Sequence, residues 1–214
     1  MNKPTRTYKS DLRREQADAT RSRILDAAAA LLESSPEGAA SVTTKRIAEE
    51  AGVTEVTLYR HFPSRTDLNQ ALWRHMNDLQ GVAGGFPASL AEMPQRLLPL
   101  FTSFDTTPAH ILNTLIGSTG REMRNSQNEV RREAFLHAVQ SENSNLSVAD
   151  QAQAAAVLQL LYSAYSWLSL REQWGLSGVE AARAVGWALD TLSRDLRARG
   201  DLPLDHSQKK TTTQ

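Results

Sequence analysis

Apolar positions along this chain recur at helical spacing, and strand-like alternation is missing. Ile24, Ala27, Ala28, Leu31 and Leu32 follow the i, i+3, i+4, i+7, i+8 pattern of a helix with one buried face, with Thr20 placed to cap it. SSPEGAAS (34–41) is turn chemistry and ends that helix. A second helix starts at Thr43 or Thr44 and buries Ile47, Ala48 and Ala51. Gly52 supplies a tight or left-handed turn. Thr54 caps a third helix, which runs through Phe62 because Pro63 disfavours the helical conformation of the residue before it. Ser64 caps a fourth, over about 65–80, whose first turn holds Asp67, where the helix dipole favours a carboxylate.

Three glycines and a proline in GVAGGFP (81–87) mark the best boundary. Beyond it, RLLPLFTSF contains Pro99, which is expected to kink or split its helix. A further helix begins near Pro108, and a charged one runs through Arg121–Val139. SENSNLS (141–147) is a loop whose last serine can start the next helix. Residues 148–174 read as one long helix, broken by GLSG (175–178). A final helix carries Val185, Leu189, Leu192 and Leu196 at coiled-coil-like spacing and ends at Gly200. The fold class is all-α, with roughly eight to ten helices expected for this length.

Composition narrows the chemistry. The chain has 214 residues, 40% of them hydrophobic, enough for a sizeable core. It has no cysteine, which excludes disulfides and cysteine-ligated metals. MNKPTRTYKSDLRREQ lacks the apolar stretch of a signal peptide, and the most apolar segment, 157–170, is too short to span a membrane. A cytoplasmic protein is expected. Net charge is zero but unevenly spread: residues 1–25 carry a net of +4, and residues 76–214 a net of −2. Positive charge therefore sits at the front, where a polyanion could be met.

Two short helices joined by a glycine-containing turn make the helix-turn-helix plan, whose second helix enters the DNA major groove. Here Ala51, Val53, Leu58 and Phe62 are spaced to face inward. Thr54, Glu55, Val56, Thr57, Tyr59, Arg60 and His61 are left outward or partly so. Threonine hydroxyls can meet bases or phosphates, Val56 a thymine methyl, Arg60 a guanine or phosphate, and Glu55 a cytosine amino group. Ser64 and Arg65 open the fourth helix, where free backbone N–H groups attract phosphate.

The run TRSRILDAAAALLESS…SVTTKRIAEEAGVTEVTLYRHFPSRTDLNQAL (20–72) resembles the DNA-binding domain of the TetR/AcrR family of transcriptional regulators. It covers about a quarter of the chain; the rest matches the family only in helical plan. The resemblance implies a homodimer that places two recognition helices on a near-palindromic operator. It assigns DNA contact to Thr44 and Lys45, base reading to Glu55, Val56 and Thr57, and phosphate contact to Tyr59, His61 and Arg65. Lysine is commoner in the family at the position of Arg65, and Arg60 stands where residue type varies. The implied organisation is a basic flexible arm (1–18), a helix-turn-helix domain (19–66), a helical effector-binding and dimerisation domain (67–200) and a flexible tail (201–214).

The family plan also implies a small-molecule effector, largely apolar, that releases DNA by favouring an incompetent state. Large apolar and aromatic side chains available to line its pocket are Phe101, Phe104, Ile111 and Leu115, then Met123, Tyr162, Tyr165 and Trp167, with His110 as a polar reader. Residues 157–170 are apolar nearly all round, so one side is expected to face a partner. Leu161 and Leu168 would then join Val185, Leu189, Leu192 and Leu196 in a four-helix bundle across a two-fold axis. No cofactor or metal is expected. The five histidines form no HxxxH spacing, and there is no G-x-S-x-G elbow or phosphate-cradling glycine loop, so nothing favours the rival reading of a helical enzyme. A non-specific architectural DNA binder would need a larger basic excess. Repression is the family's usual sign, and activation the alternative.

Overall fold

The structure, a computed structural model, describes residues 7–34, 42–79 and 85–206. The expected turn at 35–41, residues 81–84 of the glycine-rich boundary, and the outer parts of the arm (1–6) and tail (207–214) lie outside the described residues. Among the described residues are eleven helices and no strand. They are α1 (Thr7–Ser34), α2 (Thr44–Glu50), α3 (Glu55–His61), α4 (Arg65–Leu79), α5 (Glu92–Thr106) and α6 (Pro108–Ile116). Then follow α7 (Ser118–Asn125), α8 (Asn128–Glu142), α9 (Val148–Leu161), α10 (Ala164–Trp174) and α11 (Gly178–Arg199). The protein is all-α, and no described helix is long and apolar enough to cross a membrane.

Four boundaries differ from the sequence expectation. First, α1 begins at Thr7, so residues 7–18 continue the helix instead of forming an arm apart from it. Residues 8–23 contain neither Gly nor Pro, and the Thr20 hydroxyl donates back to the Gln16 carbonyl (2.8 Å) in mid-helix, so it caps nothing. Second, α5 passes through Pro99 unbroken. Pro99 lies on the exposed face and Met93, Leu97, Leu100, Phe101 and Phe104 on the buried one, so packing holds the helix across the missing N–H.

Third, the charged helix divides at Ser126–Gln127, where the Ser126 hydroxyl donates to the Met123 carbonyl (2.7 Å). Fourth, the long apolar helix divides at Tyr162–Ser163. The hydroxyls of Ser163 and Ser166 both donate to the Leu160 carbonyl (2.6 and 2.7 Å), and Ser163 is extended (φ −146°, ψ 162°). In both places serine hydroxyls satisfy carbonyls that the ended helix leaves open.

The helices fall into two compact units. One comprises Met1–Leu79 with Leu112–Ser126, the other Gln80–Ile111 with Gln127–Gln214. The expected division after residue 66 is thus displaced: α4 and α7 pack in the first unit. Leu68, Leu72, Met76 and Met123 share one buried cluster with Ile24, Leu32, Ile47, Leu58 and Phe62, which is the physical reason.

In the second unit α11 packs along α5. The approach is close at Gly178, where an added Cβ would stand 2.4 Å from the Phe101 carbonyl oxygen. Asp105 joins three elements: its carboxylate accepts from Trp167 Nε1 (2.9 Å), Arg171 (3.0 Å) and the Gly178 backbone N–H. Ser177 opens α11 with a capping box, its side chain accepting from Glu180 N while the Glu180 carboxylate accepts from Ser177 N.

At the far end Arg199, buried, pairs with Asp195 and donates to the carbonyls of Pro203 and His206. Residues 201–206 of the expected flexible tail are therefore held against α11.

Candidate nucleic-acid interface

The helix-turn-helix is built by short-range chemistry. Thr43 is extended (φ −79°, ψ 156°) and its hydroxyl accepts from Arg46 N, which starts α2. Gly52 has φ 65°, in the left-handed region that glycine enters without Cβ strain. Thr54 then caps α3, accepting from Thr57 N (3.2 Å). Ser64 and Asp67 cap α4 reciprocally: Asp67 N donates to Ser64 Oγ (3.1 Å) and Ser64 N to Asp67 Oδ2 (3.0 Å). Leu58 and Phe62 are buried in the unit's core, and Val53 packs against it. The inner face of α3 is thereby fixed, and its other residues have no freedom to turn inward.

The outer face carries the residues expected there. Val56 is 80% exposed and Tyr59 45% exposed. Glu55, Arg60 and Lys45 are also exposed, while Thr44, Thr57, His61 and Arg65 are half-buried. Thr44 Oγ1 lies 3.3 Å from the Tyr59 hydroxyl, so α2 and α3 present these two groups as one unit. Thr57 Oγ1 lies 3.0 Å from Thr54 Oγ1. Lys45 stands 4.0 Å from Glu49 on the same helix face. His61 differs from a simple phosphate-holding cation. Burial lowers its pKa from the usual histidine value, the neighbouring Arg60 and Arg21 charges lower it further, and Asp18 opposes them. Burial thus favours the neutral imidazole in the folded protein.

Sequence reasoning missed three residues at this site. Arg21 of α1 donates to the His61 carbonyl (3.2 Å), and its guanidinium lies 4.3 Å from the centroid of the Phe62 ring. It therefore clamps the C-terminal end of α3, and only its position one turn before Ile24 hinted at this. His75 Nε2 meets Asp26 Oδ1 at 2.7 Å, joining α4 to α1. Glu122 of α7 lies 3.4 Å from Arg65. Nothing in the local pattern around Glu122 marked it, because the pairing depends on how α7 packs on α4.

The nine side chains expected to line an effector pocket are divided between the two units. Phe101, Phe104 and Trp167 form a buried aromatic ladder with centroid separations of 6.0 and 5.6 Å. Met123 belongs to the core of the first unit, and Leu115 is buried in that unit too; His110 and Ile111 are buried and belong to the second. Tyr162 packs its ring on Phe135 (6.1 Å), and burial pushes its hydroxyl pKa up. Tyr165 is exposed and lies instead in an open, mostly apolar groove of about 570 Å³ between α10 and α11, with Leu161, Leu170, Val185 and Ala188.

The expected dimer residues divide likewise. Val185, Leu189 and Leu196 are buried inside their own unit, with Val185 also lining the α10–α11 groove. Leu161, Leu168 and Leu192 are half-buried. The large apolar side chains that α10 and α11 do expose are Tyr165 (45%), Trp174 (75%), Val179 and Trp187 (72%).

The arrangement defines a helix-turn-helix protein with a separate helical unit. Residues 24–72 match the sequence model of bacterial regulatory proteins of the tetR family. Over the whole fold, a TetR transcriptional regulator from Rhodococcus sp. RHA1 superposes with a TM-score of 0.52 at 26% identity, covering 83% of this chain and 98% of that one. Residues 24–72 thus form a tetR-type N-terminal domain, and the fold is similar to that of a TetR transcriptional regulator. Similar curated proteins include the nucleoid occlusion factor SlmA of Aliivibrio fischeri (strain MJ11), 50% identical over 52 residues, 24% of this chain and 26% of that protein. The same-named protein of Yersinia enterocolitica is 45% identical over 58 residues, 27% of this chain and 29% of that one. The chain thus matches little more than a quarter of the length of these relatives.

Proposed function

We propose that the protein is a cytoplasmic, sequence-specific DNA-binding transcriptional regulator, acting as a homodimeric repressor that a small molecule releases from a near-palindromic operator. The observation that carries this reading is the outer face of α3. An 80% exposed valine beside Glu55, Thr57 and Tyr59, on a helix locked from behind by Leu58 and Phe62, has no role in the fold of the chain itself. Placed in a major groove, Val56 meets thymine methyls and Thr57 base edges, while Tyr59, Thr44, Lys45 and Arg65 meet the backbone. Arg60 and Glu55 add sequence preference. The α10–α11 groove and Trp187 support the dimeric part of the reading: they give an apolar surface that a two-fold-related copy would cover. The effector would act by binding the DNA-incompetent state more tightly than the competent one.

The likeness to nucleoid occlusion factors is confined to 52–58 residues in the comparisons above, so it supports a shared N-terminal module and not a shared role in nucleoid occlusion. The test is selection from a random-sequence duplex pool. Recovery of one near-palindrome, preferred over mixed DNA by about a thousandfold or more at physiological salt, is the expected result. Recovery of no motif would overturn it.

A further inference from the structure

Arg65, a phosphate-contacting candidate, is already engaged at close range by an opposite charge from another part of the protein. Its Nε lies 3.4 Å from Glu122 Oε2, and the two side chains keep 32% and 56% of their surface exposed. Glu122 comes from α7, far along the chain from the helix-turn-helix, yet α7 belongs to the same compact unit. The carboxylate is not on a loose segment. Met123, next to it, is buried in the core that Leu58, Phe62 and Leu68 share, and Gln70 Nε2 of α4 donates to the Ser126 carbonyl (3.4 Å) at the end of α7. These two fixings, both just C-terminal to Glu122 on α7, hold the pair in reach.

We propose that Glu122 is an internal competitor for the phosphate that Arg65 would hold, so that α7 sets the strength of DNA binding through this one ion pair. The inference rests on the DNA-binding reading above. A guanidinium has donors enough for two anions, but a carboxylate beside it cancels much of the field a phosphate would feel, and it also repels that phosphate directly. Both effects act against DNA and neither is needed for the fold, since an exposed ion pair contributes little to stability. The contact also gives the helical segment beyond residue 112 a direct electrostatic hand on the DNA-contacting surface. A shift of α7 that drew Glu122 away would strengthen binding, and one that pressed it closer would weaken it.

The test is a double-mutant cycle on the full chain, with fluorescence anisotropy against the duplex that the wild-type protein selects from a random pool. Glu122→Gln is expected to tighten binding by about two- to fivefold, the range an exposed charge pair commands, and to lose that gain as salt is raised. Arg65→Gln is expected to weaken binding, and adding Glu122→Gln to it should then change affinity by well under twofold. The proposal is overturned if Glu122→Gln leaves affinity unchanged or lower, or gives the same gain without Arg65, which would make it a general charge effect. If the wild-type protein selects no duplex, the DNA-binding reading fails with it. If it selects one and only the cycle is flat, the competitor role alone fails. Thermal unfolding of each variant checks that none has lost its fold.

Discussion

Tyr59 of α3 carries its hydroxyl, 3.3 Å from Thr44 Oγ1 of α2, at the protein surface. Because it is 45% exposed, truncation removes little from the core. Tyr59→Ala is expected to weaken operator binding by about tenfold or more, the loss of one hydrogen bond to a charged group, with the unfolding midpoint nearly unchanged. A large drop in that midpoint would instead make Tyr59 a core residue. His61 has the opposite emphasis. Its pKa is lowered in the fold, chiefly by burial, so the folded state prefers the neutral ring. The linked stability is fully present above the unfolded histidine pKa of about 6.5 and is lost as pH falls through the lower folded value. Comparing urea unfolding at neutral and mildly acid pH, His61→Gln should lose less stability on acidification than the wild-type protein. An equal loss in both would place the sensitivity elsewhere.

At the scale of the element, close approach matters more than propensity. Gly178 opens α11 where α11 meets the Phe101 carbonyl, and a methyl group there would overlap backbone that cannot rotate aside. Gly178→Ala is therefore expected to cost about 2–3 kcal/mol in urea unfolding, from overpacking and the disturbed Asp105 junction. A cost near that of an ordinary surface change would mean that α11 shifts freely on α5. What was legible in the sequence follows the same division. The caps at Thr43, Thr54 and Ser64 and the turn at Gly52 were readable because each is decided within four residues. The breaks at Ser126 and at Tyr162–Ser163 were not, because no glycine or proline marks them; serine hydroxyls take over the open carbonyls once packing has bent the chain. Pro99 misled in the other direction, since its effect depends on which face of α5 it occupies.

For the whole molecule, a periodic stripe says that a face is buried but not by what. Leu189 and Leu196, placed by their spacing in a dimer seam, are covered within their own unit, while Val185 is buried and also lines the α10–α11 groove. Similarly, aromatic residues scattered along the C-terminal sequence suggested one pocket, whereas Phe101, Phe104 and Trp167 pack on one another and Tyr165 faces outward. The outer face of α3 was legible, by contrast, because its inward residues were few and its punctuation was strong. The surface left for assembly is that of Trp187 and the α10–α11 groove. Trp187→Glu is expected to give monomers in sedimentation analysis and to weaken binding to a two-half-site operator far more than to a single half-site. A dimer that survives the change would move the interface elsewhere.

The burial of the indoles has an optical consequence. The chain has four tryptophans: Trp167 lies sealed in the core, Trp73 is half-buried in the N-terminal unit, and Trp174 and Trp187 stand in water. Indole emission moves to shorter wavelength as water is removed from around the ring. Self-association that covers Trp187 would shift the spectrum to the blue, while unfolding, which wets Trp167, would shift it to the red. The protein thus carries its own colour signal, with opposite signs for assembly and for loss of structure, and needs no attached dye to tell one from the other.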